Sequence, residues 1–341
     1  CNWDGGIDYF LDPDDYTKKA DGTNSDAANI DYAGDAMAIV KKIYKKEYKV
    51  GNDRYVYFCE RKVDDDFHAV GFNVLGKERD YMLIPMFYGS IDSNGKMRSI
   101  AGQWSCLTAS GSAADNATGK AIGTAEQYTA IQAASSKALF FGGALTNTLA
   151  DICILLSKST DSQTAFGSGM CSTYVEDKTQ HYGTKINTVI GGGQFYGSND
   201  NKSFNKIFHS CVMGSYMLWQ RDPYMLLING RIKVSPDYTY DLTGAKYLDT
   251  GVNLAKNGYY ATTQVVKDFG AVPNDEIACS SATGYCDHTW VNAEIPAVSR
   301  QFGDCLGGAA GGLWARTLYS VAADAWWGCG ASKLLPAPAA A

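Results

Sequence analysis

Runs of β-branched and aromatic residues mark the first part of the chain as strand-rich. Three runs bounded by Asp, Gly or Lys predict strands: RYVYFCE (54–60), HAVGFNVL (68–75) and YMLIPMFY (81–88). The stretch before them, residues 35–48, has a composition typical of a helix, although residues 45–50 also fit the start of a strand.

Helical periodicity appears in the middle of the chain. Residues 125–138 and 139–158 each predict a helix, and Lys158 with the Ser-Thr-Asp after it suits a helix end. In the second helix, apolar residues recur at steps of three and four. This spacing predicts one buried face, formed by Leu145, Leu149, Ile152, Leu155 and Leu156.

A hairpin follows further along the chain. Residues 224–229 and 231–234 predict two strands joined at Asn229-Gly230, a dipeptide typical of two-residue hairpin turns. Few helices, many short strands and long irregular loops are together typical of an α+β fold.

Composition narrows the class of protein. The chain has 341 residues, of which 19% are charged and 45% hydrophobic, as expected of a compact globular protein. Its net charge of −6 and lack of a long basic tract argue against a nucleic-acid partner. The apolar run 138–156 is interrupted by Thr-Asn-Thr and Asp151, so it predicts a buried helix and no membrane span.

Cysteine and histidine are the candidate metal ligands and nucleophiles. The 10 cysteines form no C-x-x-C pair, and the four histidines, at 68, 181, 209 and 288, are scattered. We therefore expect no metal or cofactor site. Cys279 and Cys286, which flank SSATGY, could close a short disulfide loop in an oxidising compartment.

The two ends of the chain differ from the rest. Residues 1–34 are rich in Asp, Asn and Gly and predict a turn-rich or attachment segment, and residues 336–341 (PAPAAA) predict a linker or tag remnant. Cys1 marks either a boundary or the lipidated residue of a processed lipoprotein. Residues 35–335 are left as the main domain.

Four stretches together resemble the C-type-lectin-like proteins of phage and prophage tails, many of which are diversified by retroelements that mutate one terminal segment. They are YMLIPMFYGSID with GKMRSIAG (81–102), LSKSTDSQTAFGSG (156–169), MLWQRDPYMLLINGRIKV (217–234) and FGDCLGGAAGGLWARTLYSVAADAWWGCGASKLL (302–335). The resemblance covers about residues 50–335. It implies an α+β, C-type-lectin-like fold with short twisted antiparallel strands, two main helices and long irregular loops.

The last stretch looks like the variable region of that family, here residues 303–333. Its constant positions have counterparts in Gly303, Gly308, Gly311-Gly312-Leu313-Trp314 and Gly330-Ala331. The chain departs from the pattern at Ser332-Lys333, where Arg-Leu is favoured. The resemblance implies that the residues between the glycines contact ligand: Asp304, Cys305, Leu306, Gly307, Ala310, Trp314, Arg316, Tyr319, Asp324, Trp326 and Trp327.

These residues include Trp, Tyr and Arg, the types enriched at binding hot spots. Trp326 and Trp327 cannot both face inward on a regular strand, so one of them is expected at the surface. Trp314 is either a contact or a core residue.

We expect a non-catalytic receptor-binding or ligand-binding protein on a virion tail or at a cell surface. Its partner would be a host-cell surface protein or glycan, with other tail proteins or further copies of the chain as possible neighbours. A purely structural tail component is the main alternative. The related formylglycine-generating enzymes are a weaker alternative, because Cys305 and Cys329 lack the close spacing of their cysteine pair.

Overall fold

In the computed structural model, short strands alternate with a few helices, as in an α+β protein. The structure describes residues 1–103, 105, 122–172, 193–200, 204–255, 257–275, 279–325 and 328–338. Within these ranges, no helix combines the length and the apolar character needed to cross a membrane.

The first eight strands precede the first helix. They are β1 (Met37–Lys41), β2 (Tyr44–Val50), β3 (Asp53–Cys59), β4 (Asn73–Val74), β5 (Lys77–Glu78), β6 (Tyr81–Pro85), β7 (Gly89–Ile91) and β8 (Met97–Ser99). The helices are α1 (Thr124–Ala134), α2 (Gly143–Ser157), α3 (Ser162–Phe166) and α4 (Cys211–Gly214). Between α1 and α2 lies β9 (Leu139–Phe140).

The second half is almost entirely strand and turn. Its strands are β10 (Trp219–Ile228), β11 (Arg231–Val234), β12 (Leu248–Asn253), β13 (Tyr259–Tyr260), β14 (Thr262–Val266), β15 (Gly270–Asn274), β16 (His288–Val291), β17 (Ala297–Gln301), β18 (Arg316–Leu318), β19 (Cys329–Gly330) and β20 (Lys333–Pro336). A short 3-10 turn, Gly308–Ala310, precedes β18.

A four-stranded sheet brings the two ends of the fold together. Its order is β1-β6-β20-β9, so β6 lies between an early strand and the last one. Leu83 pairs with both Ile39 and Leu335. Nearly all of β6 is buried because it has a neighbour on each side, which agrees with the strand predicted from the apolar run at 81–88.

A larger sheet carries the terminal segment. Its order is β12-β11-β10-β17-β18-β16-β13, and β19 pairs in parallel with the start of β10. The turn between β10 and β11 is the predicted Asn229-Gly230 turn. Both residues have positive φ, 51° and 74°, as a hairpin turn of the primed type requires.

Of the other two predicted strands, one is confirmed and the other is only partly extended. The run at 54–60 is confirmed as β3. The run at 68–75 is broken by turns. His68 forms an isolated bridge with Lys45, and Asn73–Val74 pairs with Lys77–Glu78 in a short hairpin.

The helix predicted at residues 35–48 is wrong, and the alternative of a strand at residues 45–50 is confirmed by β2. The stretch forms β1 and β2 instead. In β2, Lys45 faces the interior and Tyr48 faces solvent, a two-residue alternation that suits a strand. Pairing with β6 and β3 therefore overrides a helix-compatible composition.

The two predicted helices exist, with shifted bounds. The second begins at Gly143, because residues 139–140 belong to β9. Its predicted face is buried at Leu145 and Leu149. The face is wrong at Leu155 and Leu156, which are 61% and 55% exposed because none of the described residues covers the last turn.

A buried charge cluster ties the first residues to the last strand. Asp35 accepts hydrogen bonds from Arg98 and from the ammonium group of Lys333, which also donates to the Met97 carbonyl. Residues 1–34 form turns and isolated bridges, one of which joins Asn2 to Gly34. Removing one partner of such a buried cluster is strongly destabilising, so Lys333 has a structural role at the start of the chain's last strand.

The folded chain extends slightly past its predicted end. Pro336 belongs to β20, and Ala337 is buried and donates its N–H to the Tyr81 carbonyl. The first two residues of the predicted linker therefore pack against the rest of the protein.

Candidate functional site

Two glycines of the terminal segment occupy positions that no other residue fits. Gly303 has φ of 90°, and a Cβ placed there would lie 2.9 Å from the Gly311 Cα. A Cβ on Gly312, with φ of 150°, would lie 2.2 Å from the Asp287 carboxylate. The backbone at both ends of this loop is therefore fixed by close approach and by φ.

Helix α3 fixes the middle of the same loop. The Gln163 side chain donates two hydrogen bonds of 2.7 Å, one to the Gly308 carbonyl and one to the Gly311 carbonyl. The Gly308 N–H in turn donates to the Cys171 carbonyl. Gln163 belongs to residues 156–169, so this stretch holds the loop in place through the two hydrogen bonds of one side chain.

The predicted contacts in this first loop divide into buried and exposed residues. Asp304 and Cys305 are buried, and the Cys305 N–H donates to the Met217 carbonyl. They are not surface residues, in contrast to the expectation, because the turn folds them under the loop. Leu306 is 53% exposed, while Gly307 and Ala310 are partly exposed.

Burial also affects the acid of this loop. Removal from water raises the pKa of the Asp304 carboxyl to about 6, although one of its oxygens accepts the Leu306 N–H at 3.0 Å. The same cause raises the pKa of Asp287, which accepts the Trp314 N–H at 2.8 Å, well above its usual range.

Trp314 is a core residue. Only 8% of its surface is exposed, and its ring packs against Tyr285 with centroids 4.2 Å apart. The two alternatives left open by the sequence are thus decided in favour of the interior. Its indole N–H is buried and has no hydrogen-bond partner among the described residues, so the ring contributes packing rather than polar recognition.

Arg316 is buried as well, which corrects its expected surface position. Its guanidinium donates to the Gln301 side chain at 2.8 Å and to the Asn147 side chain at 2.9 Å. Burial lowers the pKa of Arg316, and the charges of Asp222 and Asp287 oppose that effect. Arg316 joins β17, β18 and α2, because each of its hydrogen bonds reaches a different element.

Tyr319 and Asp324 lie nearer the surface. Tyr319, the residue after β18, is 47% exposed. The Asp324 side chain is about half exposed and lies 3.8 Å from the Arg300 guanidinium. Trp326 and Trp327 lie outside the described residues.

An ionic cluster that the sequence did not predict lies against the Trp314 ring. Arg54 donates to both oxygens of Asp151 at 2.6 Å and to the Tyr285 hydroxyl at 2.8 Å, and its guanidinium lies 5.7 Å from the Trp314 ring. Burial disfavours charge on Asp151, but Lys45 and Arg54 outweigh it and lower the pKa. The one sequence signal was Asp151 itself, an acid inside an apolar helix.

A cavity of about 350 Å³ opens beside this cluster. Its walls are largely apolar and include Val56, Phe58, Ile154, Leu155, Thr160 and Tyr285. The charged groups at its floor bind one another, so the cavity is suited to an apolar group rather than to an ion.

The described part of the chain includes both cysteines of the suggested disulfide. Cys279 and Cys286 are free thiols there, so the suggested disulfide is not formed. Among the residues that the structure describes, no group of three or more His, Cys, Asp or Glu side chains could hold a metal ion.

Comparison of the sequence with protein-family models and with curated proteins finds no match. The terminal segment combines a fixed backbone with exposed side chains. Its glycine-held backbone presents Leu306 and Tyr319 to solvent, and it keeps Trp314 and Arg316 inside.

Proposed function

We propose that this chain is a non-catalytic receptor-binding protein of the phage-tail or prophage-tail type. In this proposal it has a C-type-lectin-like fold, and residues 303–333 are its retroelement-diversified binding surface. The observation that carries the proposal is the separation of roles within that segment. Glycines and buried side chains hold its backbone, while Leu306 and Tyr319 extend into solvent between them.

Such a separation is what a variable surface needs. A side chain that makes no internal contact can change without loss of folding free energy, provided that the backbone is held by other residues. Here Gln163 and Asp287 supply that hold from outside the segment. Leu306 and Tyr319 can therefore vary, whereas Trp314 and Arg316 cannot.

The sheet topology supports the lectin-like part of the proposal. In a lectin-like fold the N-terminal and C-terminal strands come together, and here β1 and β20 flank the same strand, β6. The long connections between the strands leave irregular loops for recognition.

The partner in this proposal is a host-cell surface protein or glycan, met by a virion tail or at a cell surface. Tyr and Leu side chains on a rigid loop provide contact area at a low cost in conformational entropy. Other tail proteins and further copies of the chain are additional neighbours in the proposal.

Adsorption to bacterial cells tests the surface. Leu306→Ser combined with Tyr319→Ser should lower adsorption at least tenfold and leave thermal unfolding unchanged. Leu156→Ser is the matched control, because Leu156 is similarly exposed, at 55%, but lies on α2. Equal adsorption by the double variant and the wild type would show that neither residue belongs to the receptor-binding surface.

The coding DNA tests diversification separately. We expect a near-copy of the segment encoding residues 303–333 close to a reverse-transcriptase gene, with differences concentrated at adenines. A locus without such a copy would leave an undiversified adhesin or a structural tail component.

A further inference from the structure

The hairpin formed by β2 and β3 presents aromatic rings to solvent. In its register Tyr48 lies opposite Tyr55, and Lys46 lies opposite Tyr57, so all four side chains share one face. The three tyrosines are 39%, 40% and 46% exposed, in the order Tyr48, Tyr55 and Tyr57. A sheet face that contacts only water ordinarily carries polar side chains. Three exposed tyrosines on one face therefore indicate a binding partner.

The three rings form two stacked pairs that share Tyr48. The Tyr48 and Tyr55 centroids are 5.3 Å apart with 16° between the ring planes, and those of Tyr48 and Tyr57 are 6.1 Å apart with 22°. The hydroxyls of Tyr48 and Tyr57 are 3.4 Å apart. Nearly parallel rings with neighbouring hydroxyls combine apolar area with hydrogen-bonding groups. We call these three residues the tyrosine platform.

The opposite face of the hairpin holds the platform rigidly. Lys45 and Arg54 point inward and form ion pairs with Asp151 of α2, each at 2.6 Å. Glu47, on the same inner face, pairs with both cations. The platform is thus part of a fixed surface, which lowers the entropy lost on binding.

Charge on the platform's face is largely compensated. Lys46 is the cation beside the rings, and it lies 2.6 Å from Asp66 and 3.5 Å from Asp64. Asp53 is the acid on this face, at the hairpin turn. An ionic partner would meet few uncompensated charges here, so a neutral partner is favoured.

The size of the face separates two kinds of neutral partner. Each strand has seven residues, so the face measures about 23 Å by about 10 Å, or about 230 Å². A stable protein–protein interface buries about 800 Å² on each side. By itself the platform is too small for a stable protein contact, but it is large enough for a few sugar rings.

We propose that Tyr48, Tyr55 and Tyr57 bind a neutral carbohydrate at a site distinct from the terminal segment. The C–H groups on one side of a sugar ring carry partial positive charge and pack on the negative face of an aromatic ring. The tyrosine hydroxyls exchange hydrogen bonds with the hydroxyls of the sugar. No bond is made or broken, and the site requires no metal.

Affinity electrophoresis of the full chain tests this site. Native gels would contain dextran, mannan, xylan or galactan as neutral polysaccharides, and polygalacturonate as an acidic comparison. We expect at least one neutral polymer to retard the wild-type chain. Tyr55→Ser combined with Tyr57→Ser should reduce that retardation at least tenfold, whereas Tyr57→Phe, which keeps the ring, should retain most of it.

Tyr319→Ser is the control for the terminal segment, and it should be retarded like the wild type. Its result separates this site from the proposed receptor surface, because either can fail alone. Mobility of the wild type unchanged by all four neutral polymers overturns the proposal, as does equal retardation of the double Ser variant. Sedimentation that shows self-association lost in the double Ser variant would assign the platform to a second copy of the chain and overturn it too.

Discussion

The ring of Tyr285 packs against the ring of Trp314 with centroids 4.2 Å apart and 34° between the planes. The hydroxyl of the same tyrosine accepts a hydrogen bond from Arg54. Trp314 therefore completes a cluster that joins the β2–β3 hairpin, the loop before β16 and the terminal segment. A residue in that position supports the fold, whatever the partner of the exposed surface.

Trp314→Ala should lower the free energy of unfolding by about 3–5 kcal/mol, because it removes a large buried ring and leaves a cavity. Tyr319→Ala, at an exposed position of the same segment, should change it by less than about 0.5 kcal/mol. Urea denaturation of both variants checks the contrast. Similar losses in the two would mean that Tyr319 is also a core residue.

Arg316→Met should cost about 3–5 kcal/mol of folding free energy. The change removes the donor to the side chains of Gln301 and Asn147. The Gln301 oxygen keeps its hydrogen bond from Thr146, whereas the buried Asn147 oxygen loses the guanidinium and the nearby acids lose their cation. Lys18→Met is a suitable control, since the Lys18 ammonium donates to the Asn24 side chain at the surface. A melting temperature within 1 °C or so of the wild type would contradict the buried role of Arg316.

Asp304 should make stability fall as the pH rises. Burial raises the pKa of this carboxyl from 3.8 to about 6, so the folded state holds a proton that the unfolded state has lost between those values. The stabilisation is complete below about pH 4 and is lost as the pH passes through 6. Two pKa units correspond to at most about 3 kcal/mol.

Asp304→Asn should therefore flatten the dependence of unfolding free energy on pH between 4 and 7, measured by denaturation at fixed temperature. Part of the slope should remain, because burial also raises the pKa of Asp222 to about 6. An unchanged slope in the Asn variant would show that Asp304 is hydrated in solution.

Gly312→Ala should be more damaging than Gly102→Ala. Both glycines have positive φ, which costs a substituted residue about 1 kcal/mol. A Cβ at Gly312 also collides with the Asp287 carboxylate, whereas no described residue lies within 4 Å of one at Gly102. Thermal melts should show at least twice the loss at Gly312, and equal losses would mean that Asp287 moves away freely.

The sequence by itself determined the features that depend on neighbouring residues. Asn229-Gly230 predicted its hairpin because the turn requires positive φ at both positions, and these two residues accept it. The apolar spacing predicted α2 for the same local reason, together with the burial of Leu145 and Leu149. The mixed α+β class followed from the balance of such elements.

Only the tertiary structure decided which side chains are covered. Residues 35–48 became strands because β6 and β3 were available to pair with them, and Leu155 stayed exposed because no described element covers it. Trp and Arg occur at binding surfaces and in buried clusters alike, so residue type could not separate the two for Trp314 and Arg316. Their positions depend on Tyr285, Asn147 and Gln301, which are distant in the sequence and meet them only after folding.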